Sequence, residues 1–311
     1  MVQVNKLPEN LRPYESLGIE LTHDPTEEDA VGECPWCDKK KFSVSVSTGV
    51  WRCFSCATGN RKGGGNASIF VRTLWESCIK TTRSQDYEEL AHDRKLLFAE
   101  SLQTWGAVKS FLTNEWLVPG YLPNGNIGTL YRYQNMRNTK GEWKRKLIPT
   151  PTLGHHVHGI PLYADSKPLL YVCEGFWDGV ALWEVMSRCG LGITDNVERL
   201  IELLPDMPSL TDDANVIAVP GASMWNPPWS HWSTGKRVRF LYDNDYPITQ
   251  PSGVVTPSAG FSGMNSVAER MYSSGKQRPS SAEGVLWGEE GYDPNYPTGF
   301  DVRDFLSQDA K

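Results

Sequence analysis

The 311-residue chain is 39% hydrophobic and 22% charged, an ordinary soluble composition, and no apolar run approaches the roughly 20 residues needed to cross a bilayer. Its amino terminus, MVQVNKLPENLRPYE, lacks the basic start and apolar stretch of an export signal, so a cytoplasmic protein with no membrane partner is expected. The net charge of −6 would argue against a polyanion if it were spread evenly, but Cys34 to Arg72 holds seven bases against one acid and Tyr131 to Ile148 six against one, whereas Glu174 to Asp213 holds nine acids against two bases. Two basic zones followed by an acidic one suit polyanion binding beside a divalent-metal site; the solvated faces of unrelated domains would give the same pattern.

Seven cysteines without an export signal are expected as thiols or metal ligands rather than a disulfide framework. Cys34-Pro-Trp-Cys37 and Cys53-Phe-Ser-Cys56 are CxxC pairs with fifteen residues between them. Each pair aims two thiolates at one point, and four soft ligands complete tetrahedral zinc with no open position, so the expected site is structural. Between the pairs, KFSVSVSTGVWRC alternates apolar and polar residues around a Thr-Gly turn, as a hairpin requires, and the whole reads as a zinc ribbon. Cys78, Cys173 and Cys189 lack such spacing and are expected as buried thiols. Trp51 and Arg52, with Trp36, Phe54 and Lys39 to Lys41, bring aromatic and basic groups together. The rings serve either stacking on unpaired bases or a minimal core around the zinc.

After the ribbon, GGGNASIFVRTLWE predicts a turn and a helix capped by Asn66 or Ser68, and SQDYEELAHDRKLLFAESLQTWG continues in helical style to a stop at Gly106. From Pro119 the pattern changes to strands, IGTLYRYQN and WKRKLI, joined by a Lys-Gly turn. Alternation sends Lys144 and Lys146 to one face, and with Arg132 they make a cationic sheet surface able to hold a nucleic-acid strand or a triphosphate. HHVH at 155–158 is expected to be a loop, because no acid or cysteine stands at ligand spacing around it.

KPLLYVCEGFWDGVALWEVM then runs from a buried-type strand, Leu169 to Cys173, through Glu174-Gly175 into a helix. That places Glu174 at the carboxyl edge of a parallel sheet, where ligand sites form, with Asp178 in the first helical turn as a cap or a helper near the site. NVIAVPGAS and RVRFLYDNDYP repeat the strand-then-polar-turn unit, and GVLWGEEGYDPNYPTGFDVRDFL adds a strand near Val285 before Asp301 and Asp304 open a short helix. The units indicate a doubly wound α/β sheet with its acids on one edge. If the strand persists, Asp243 and Asp245 point to the same side and face one cation. Hard oxygen ligands favour magnesium, and with Glu174 and Asp301 one or two ions could activate a hydroxyl and stabilise a leaving pyrophosphate.

Together these segments resemble the bacterial and phage DNA primases built from a zinc ribbon and a TOPRIM catalytic domain. YVCEGFWDGVAL is similar to that family's glutamate motif, LYDND to its DxD motif and GFDVRDFL to its closing acid motif. CPWC and CFSC resemble the four-cysteine ribbon of phage primase-helicases, and GTLYRY and WKRKLIPTP fall where the family carries basic strands ahead of TOPRIM. The resemblance implies an α/β chain with a zinc-binding ribbon domain at 1–75, a basic N-terminal subdomain of the RNA polymerase domain at 76–165, and a Rossmann-like TOPRIM catalytic subdomain at 166–311. It implies that Glu174 acts in phosphoryl transfer and that Glu174, Asp243, Asp245 and Asp301 hold catalytic magnesium or manganese. Arg132, Lys144, Lys146, Trp51 and Arg52 would contact template or nucleotide. Two departures stand out: PITQPSGVVTPSAGFSG intervenes between DxD and the next helix and is expected as a mobile loop, and no GxxxxGK[ST] motif or helicase domain follows, so unwinding is expected from a separate replicative helicase.

The expected function is synthesis of short RNA primers on single-stranded DNA from ribonucleoside triphosphates. The alternative is a RecR-like recombination mediator, a non-catalytic clamp that also joins a zinc site to TOPRIM; the long basic segment between ribbon and TOPRIM favours the primase. The ribbon and the lack of an ATPase domain disfavour a TOPRIM nuclease, and a topoisomerase would need a far longer chain with a nucleophilic tyrosine.

Overall fold

The computed structural model of the chain describes residues 7–56, 63–137, 141–188, 213–284 and 291–307, with 198, 201, 204 and 287. The chain divides into two compact units: Met1–Asp86, Gly106–Leu122 and Asn126–His156 form one, and Tyr87–Trp105, Pro123–Gly125 and Val157–Lys311 form the other.

The first unit begins with a short helix, α1 (Arg12–Ser16), and an antiparallel sheet in the order β1 (Leu21–Thr22), β2 (Asp29–Gly32), β3 (Phe42–Ser45), β4 (Trp51–Cys53), β5 (Gly64–Gly65). The expected ribbon hairpin is β3–β4, with Phe42 opposite Cys53 and Val44 opposite Trp51. Helix α2 (Ala67–Thr81) follows, and Asn66 is its cap, accepting from the Ile69 N–H at 3.0 Å. Tyr14, Trp36, Phe42, Trp51 and Phe70 form one ring cluster with centroid spacings between 4.9 and 6.2 Å. Each fully buried ring contributes about 1.5–3 kcal/mol, so the ribbon draws its core from α1 and α2 as well as from its own short strands.

Helical character after α2 is divided between α3 (Ser84–Asp93), which crosses from the first unit into the second, and α4 (Ala99–Thr104). Lys95 at φ 54° breaks the helix between them, and Gly106 at φ 83° turns the chain after α4. A second antiparallel sheet follows in sequence order: β6 (Val108–Lys109), β7 (Trp116–Tyr121), β8 (Ile127–Arg137), β9 (Trp143–Pro149). It starts ahead of Pro119, which lies inside β7. Proline is tolerated there because β6 reaches only Leu117, leaving that edge of β7 without a ladder to interrupt. Helix α2 packs on β8.

The second unit is built on a parallel sheet. Strand β10 (Leu169–Cys173) is central, flanked by β11 (Ala214–Ala218) and β12 (Arg237–Leu241), with β15 (Ser281–Gly284) beyond β12. Every residue of β10 and β11 is buried, as strands covered on both faces require. Helix α5 (Phe176–Arg188) follows β10, and α6 (Ser230–Ser233) precedes β12. The insertion after DxD is not a loop throughout. Ile248–Thr249 (β13) pairs antiparallel with Val255–Thr256 (β14) around Gly253 at φ 81°, and α7 (Ala259–Tyr272) begins inside the stretch, capped by Ser258, which accepts from the Phe261 N–H at 3.1 Å. Pro257-Ser258 is the stop-and-cap signal that sets this start. The last helix, α8 (Val302–Ser307), follows Asp301. Cys78 and Cys173 are buried free thiols; Cys189 and Val285 lie outside the described residues. Among the described residues no helix is long and apolar enough to cross a membrane.

Candidate functional site

The chain leaves β10 for β11 on one side and then crosses to β12 on the other, so the carboxyl ends of β10 and β12 form the switch point where open α/β sheets hold ligands. Glu174 directly follows β10, and Asp243 stands two residues past β12; the Asp243 N–H points at the Glu174 carboxylate, 3.5 Å away. The strand does not persist through the DxD segment. It ends at Leu241, and the Asp245 N–H turns back onto the Asp243 carbonyl at 2.9 Å. Strand alternation therefore does not orient the two aspartates; Asp245 Oδ2 instead accepts from the Gly260 N–H at 3.1 Å in the first turn of α7. A Cβ on Gly260 would sit 2.7 Å from the Asp243 carbonyl oxygen, so glycine is what lets α7 approach this turn.

Between the two aspartates, Asn244 is fully buried and holds the approach to Asp301. Its amide donates to the carbonyls of Asp293, Tyr296 and Pro297 at 3.0, 3.0 and 3.2 Å, while Oδ1 accepts from the Asp293 N–H at 2.8 Å. Asp301, 6% exposed, accepts from the Asp304 N–H at 2.7 Å through Oδ1 and from the Arg303 guanidinium through Oδ2. Sequence reasoning placed Glu174, Asp243, Asp245 and Asp301 but passed over Asn244, Gly260 and Arg303. The signals were faint: an Asn inside an acid pair, a Gly early in a helix, and a base two residues after an acid.

Burial and mutual repulsion dominate the electrostatics. Desolvation, then the charges of Asp178, Glu174, Asp301 and Asp245, push the Asp243 carboxyl up to about 10. Desolvation and the Asp245 and Asp301 charges push Glu174 up to about 7. Asp301 is raised by burial against the opposing pull of Arg303, and Asp178, whose Oδ1 is buried without a hydrogen-bond partner, is raised well above the carboxylate range. Asp178, in the first turn of α5, thus stands among the acids of the sheet edge. Hard oxygen donors, excess negative charge and an orphaned carboxylate oxygen fit a divalent cation such as magnesium. The donors are not drawn into a tight cage: among the described residues only the four cysteines bring three or more candidate ligand atoms within 4.8 Å of one another.

Those cysteines are the candidate metal centre of the first unit. Cys34 and Cys56 Sγ are 3.6 Å apart and Cys37 and Cys53 Sγ 3.7 Å. A zinc tetrahedron with bonds of about 2.3 Å has sulfur–sulfur edges of about 3.8 Å, which these two edges match, and all four sulfurs lie within 4.8 Å of one another, so the quartet suits zinc. Burial pushes the Cys34 thiol up, and a bound cation would supply the charge that holds it as thiolate. Trp51, expected at the nucleic-acid surface, is instead fully buried in the ring cluster, stacked on Phe42 at 5.5 Å. Its place on β4 opposite Val44 turns it inward. The ribbon's outward ring is Phe54, 66% exposed, with the Arg52 guanidinium 4.7 Å from its centroid; Arg52 also pairs with Asp29 at 3.2 Å.

On the second sheet, Arg132 lies opposite Ile148, Gln134 opposite Lys146 and Met136 opposite Lys144, which puts Arg132, Lys144 and Lys146 on one face. Both lysines are exposed and Arg132 is half-buried. The histidines take backbone-anchored places: His156 Nε2 is 2.9 Å from the Leu153 carbonyl, and the main chain of His158 bridges to Ala218.

No family model matches the chain, and no curated protein matches it. Among solved structures it is similar to the zinc-binding and RNA polymerase domains of the Aquifex aeolicus primase, at 14% identity and TM-score 0.42, over 96% of this chain and 80% of that one. It is similar to the primase fragment of the bacteriophage T7 primase-helicase protein, at 14% identity and TM-score 0.37, over 88% of this chain and 91% of that one. A third similarity is to the DnaG catalytic core, at 13% identity and TM-score 0.42, over 76% of this chain and 75% of that one.

Proposed function

We propose that the chain is a DNA primase that synthesises short RNA primers on single-stranded DNA by nucleotidyl transfer. The observation that carries this reading is the gathering of Glu174, Asp243, Asp301 and Asp178 at the switch point of the parallel sheet, with Arg303 against them. Four carboxyls raised by burial, three of them also by the charge of others in the set, make a site for divalent cations and phosphates rather than a structural core. Glu174, pushed up to about 7, can take the proton of a ribonucleotide 3′-hydroxyl near neutral pH. Asp243, Asp245 and Asp301 would hold magnesium or manganese, which when bound supplies positive charge against the attacking oxygen and the departing pyrophosphate.

In this reading the zinc ribbon, residues 1–75, selects the template with Arg52 and the exposed Phe54, while Arg132, Lys144 and Lys146 in residues 76–165 hold template or nucleotide phosphates. Residues 166–311 form a TOPRIM-type catalytic subdomain. A replicative helicase is the proposed partner and the cytoplasm, bacterial where the source is a phage, the proposed location.

The test is primer synthesis on random-sequence single-stranded DNA with labelled ribonucleotides and magnesium, beside an Asp243→Asn variant. Short RNA from the native chain and none from the variant is expected. DNA binding with no product, even with a helicase supplied, would overturn the reading in favour of the clamp.

A further inference from the structure

The β8–β9 pair has a second face that the proposed function leaves unused. Strand β7 accompanies β8 only as far as Tyr133, opposite Trp116, so residues 134–137 pair with 143–146 alone. Beyond Tyr133 the sheet is a two-stranded arm on which Asn135, Met136, Arg137, Trp143, Lys144, Arg145 and Lys146 are all exposed. A two-stranded ribbon is marginal in water by itself, and nothing apolar covers this one among the described residues.

The register sorts its side chains. Arg137 lies opposite Trp143 and Asn135 opposite Arg145, so these residues, with Tyr133, occupy the face away from Arg132, Lys144 and Lys146. On that face the Arg137 guanidinium lies 5.0 Å from the Trp143 ring centroid and the Arg145 guanidinium 5.7 Å from that of Tyr133. Trp143 is 64% exposed. Lysines on an edge strand guard against edge-to-edge pairing, but an exposed tryptophan works the other way, and edge protection does not account for it. Tyr133 is only 7% exposed and serves to seat Arg145, so the face offers one open ring, Trp143, flanked by guanidinium planes, which matches an unpaired base with its π-face between negative phosphates. Charge agrees: Ile127 to Pro149 holds six bases and one acid, Glu142.

We propose that Trp143, with Arg137 and Arg145, is a stacking platform for the unpaired bases of single-stranded DNA, on the face opposite the phosphate-holding lysines. The inference rests on the single-stranded template of the proposed function but not on its carboxylate chemistry.

The test measures binding of fluorescein-labelled oligothymidylate to the full chain by anisotropy across a series of salt concentrations. Trp143→Ala should weaken binding by roughly 5- to 100-fold, the span of one lost base stack, with the salt slope unchanged and Trp143→Phe recovering part of the loss. Lys144→Ala with Lys146→Ala should flatten the slope by about 1.4 instead. A 5-iodouracil oligonucleotide should crosslink to the peptide containing Trp143. Because the ring is exposed, the variant should melt with the native chain. Unchanged affinity in Trp143→Ala, crosslinks confined to other peptides, or equal Trp143 dependence on blunt duplex DNA would overturn the proposal. No binding by the native chain would sink both this and the template part of the proposed function; Trp143-dependent binding without primer synthesis would sink only the proposed catalysis.

Discussion

The main-chain N–H of Asn244 donates to the carbonyl of Phe300 at 2.8 Å, which ties the residue between Asp243 and Asp245 to the residue before Asp301. Acids far apart in sequence are thereby held by a shared backbone bridge and by one buried amide with four partners. Asn244→Ala removes those four bonds and leaves three carbonyls and one N–H without them, a loss of about 2–4 kcal/mol after relaxation. Urea unfolding should show it. A variant still folded in mild conditions should need several-fold more magnesium for primer synthesis, because Asp301 is no longer fixed; an unchanged magnesium requirement would mean Asp301 does not serve the ion.

Burial of the acids, reinforced by repulsion among them, predicts an inverted pH dependence of stability. Glu174 is raised from 4.5 to about 7 and Asp243 from 3.8 to about 10 in the folded chain. Between each ordinary and each raised value the folded state holds a proton that the unfolded chain has released, so stability falls as pH rises. Without magnesium, the melting temperature should therefore drop from pH 5 to pH 8, and adding magnesium at pH 8 should recover much of it. Asp243→Asn should melt higher than the native chain at pH 8 in magnesium-free buffer while losing primer synthesis by at least about 100-fold. A melting temperature that rises with pH would show that the acids are already neutralised by other groups.

Spacing carried much of this architecture. The two CxxC pairs and the hairpin between them were readable because ligand geometry is local: four residues set each thiolate pair. The strand-to-helix units were readable because buried parallel strands are continuous apolar runs, as Leu169 to Cys173 is. The DxD segment was less legible. Two acids one residue apart suggest a strand face, but the chain leaves the sheet at Leu241 and Asp245 is oriented by Gly260, fifteen residues on, a non-local contact that no periodicity records. Asn244 was hidden for the same reason. The hairpin within the insertion was obscured by its Pro, Ser and Gly content, which marks turns without saying whether the residues between them pair.

Trp51 and Phe54 separate core from surface within three residues of each other. Trp51→Ala opens a cavity among Trp36, Phe42 and Phe70 and should cost about 3–5 kcal/mol, with collapse of the near-ultraviolet dichroism of the ring cluster. Phe54→Ala should leave the melting temperature within about 1 °C, since the ring is 66% exposed, while weakening binding to single-stranded DNA. Equal DNA affinity for Phe54→Ala and the native chain would remove the ribbon's outward ring from the template contacts.

Gly260→Ala tests whether the turn at Asp243 must be as tight as the structure has it. Alanine is the better helix former, and at an exposed position near a helix start it would be neutral or slightly stabilising. Here the new methyl would meet the Asp243 carbonyl oxygen at 2.7 Å, closer than a Cβ contact tolerates, and Gly260 N–H is the donor that Asp245 accepts. Either the first turn of α7 or the Asp243–Asp245 turn must move by several tenths of an ångström. The expected result is a modest loss of stability, about 1–2 kcal/mol, with a disproportionate fall of 10-fold or more in primer synthesis, because displacement acts on the acids themselves. Loss of activity no larger than the loss of folded protein would mean that the turn has slack, and that Asp243 serves the reaction less through its position than through its charge.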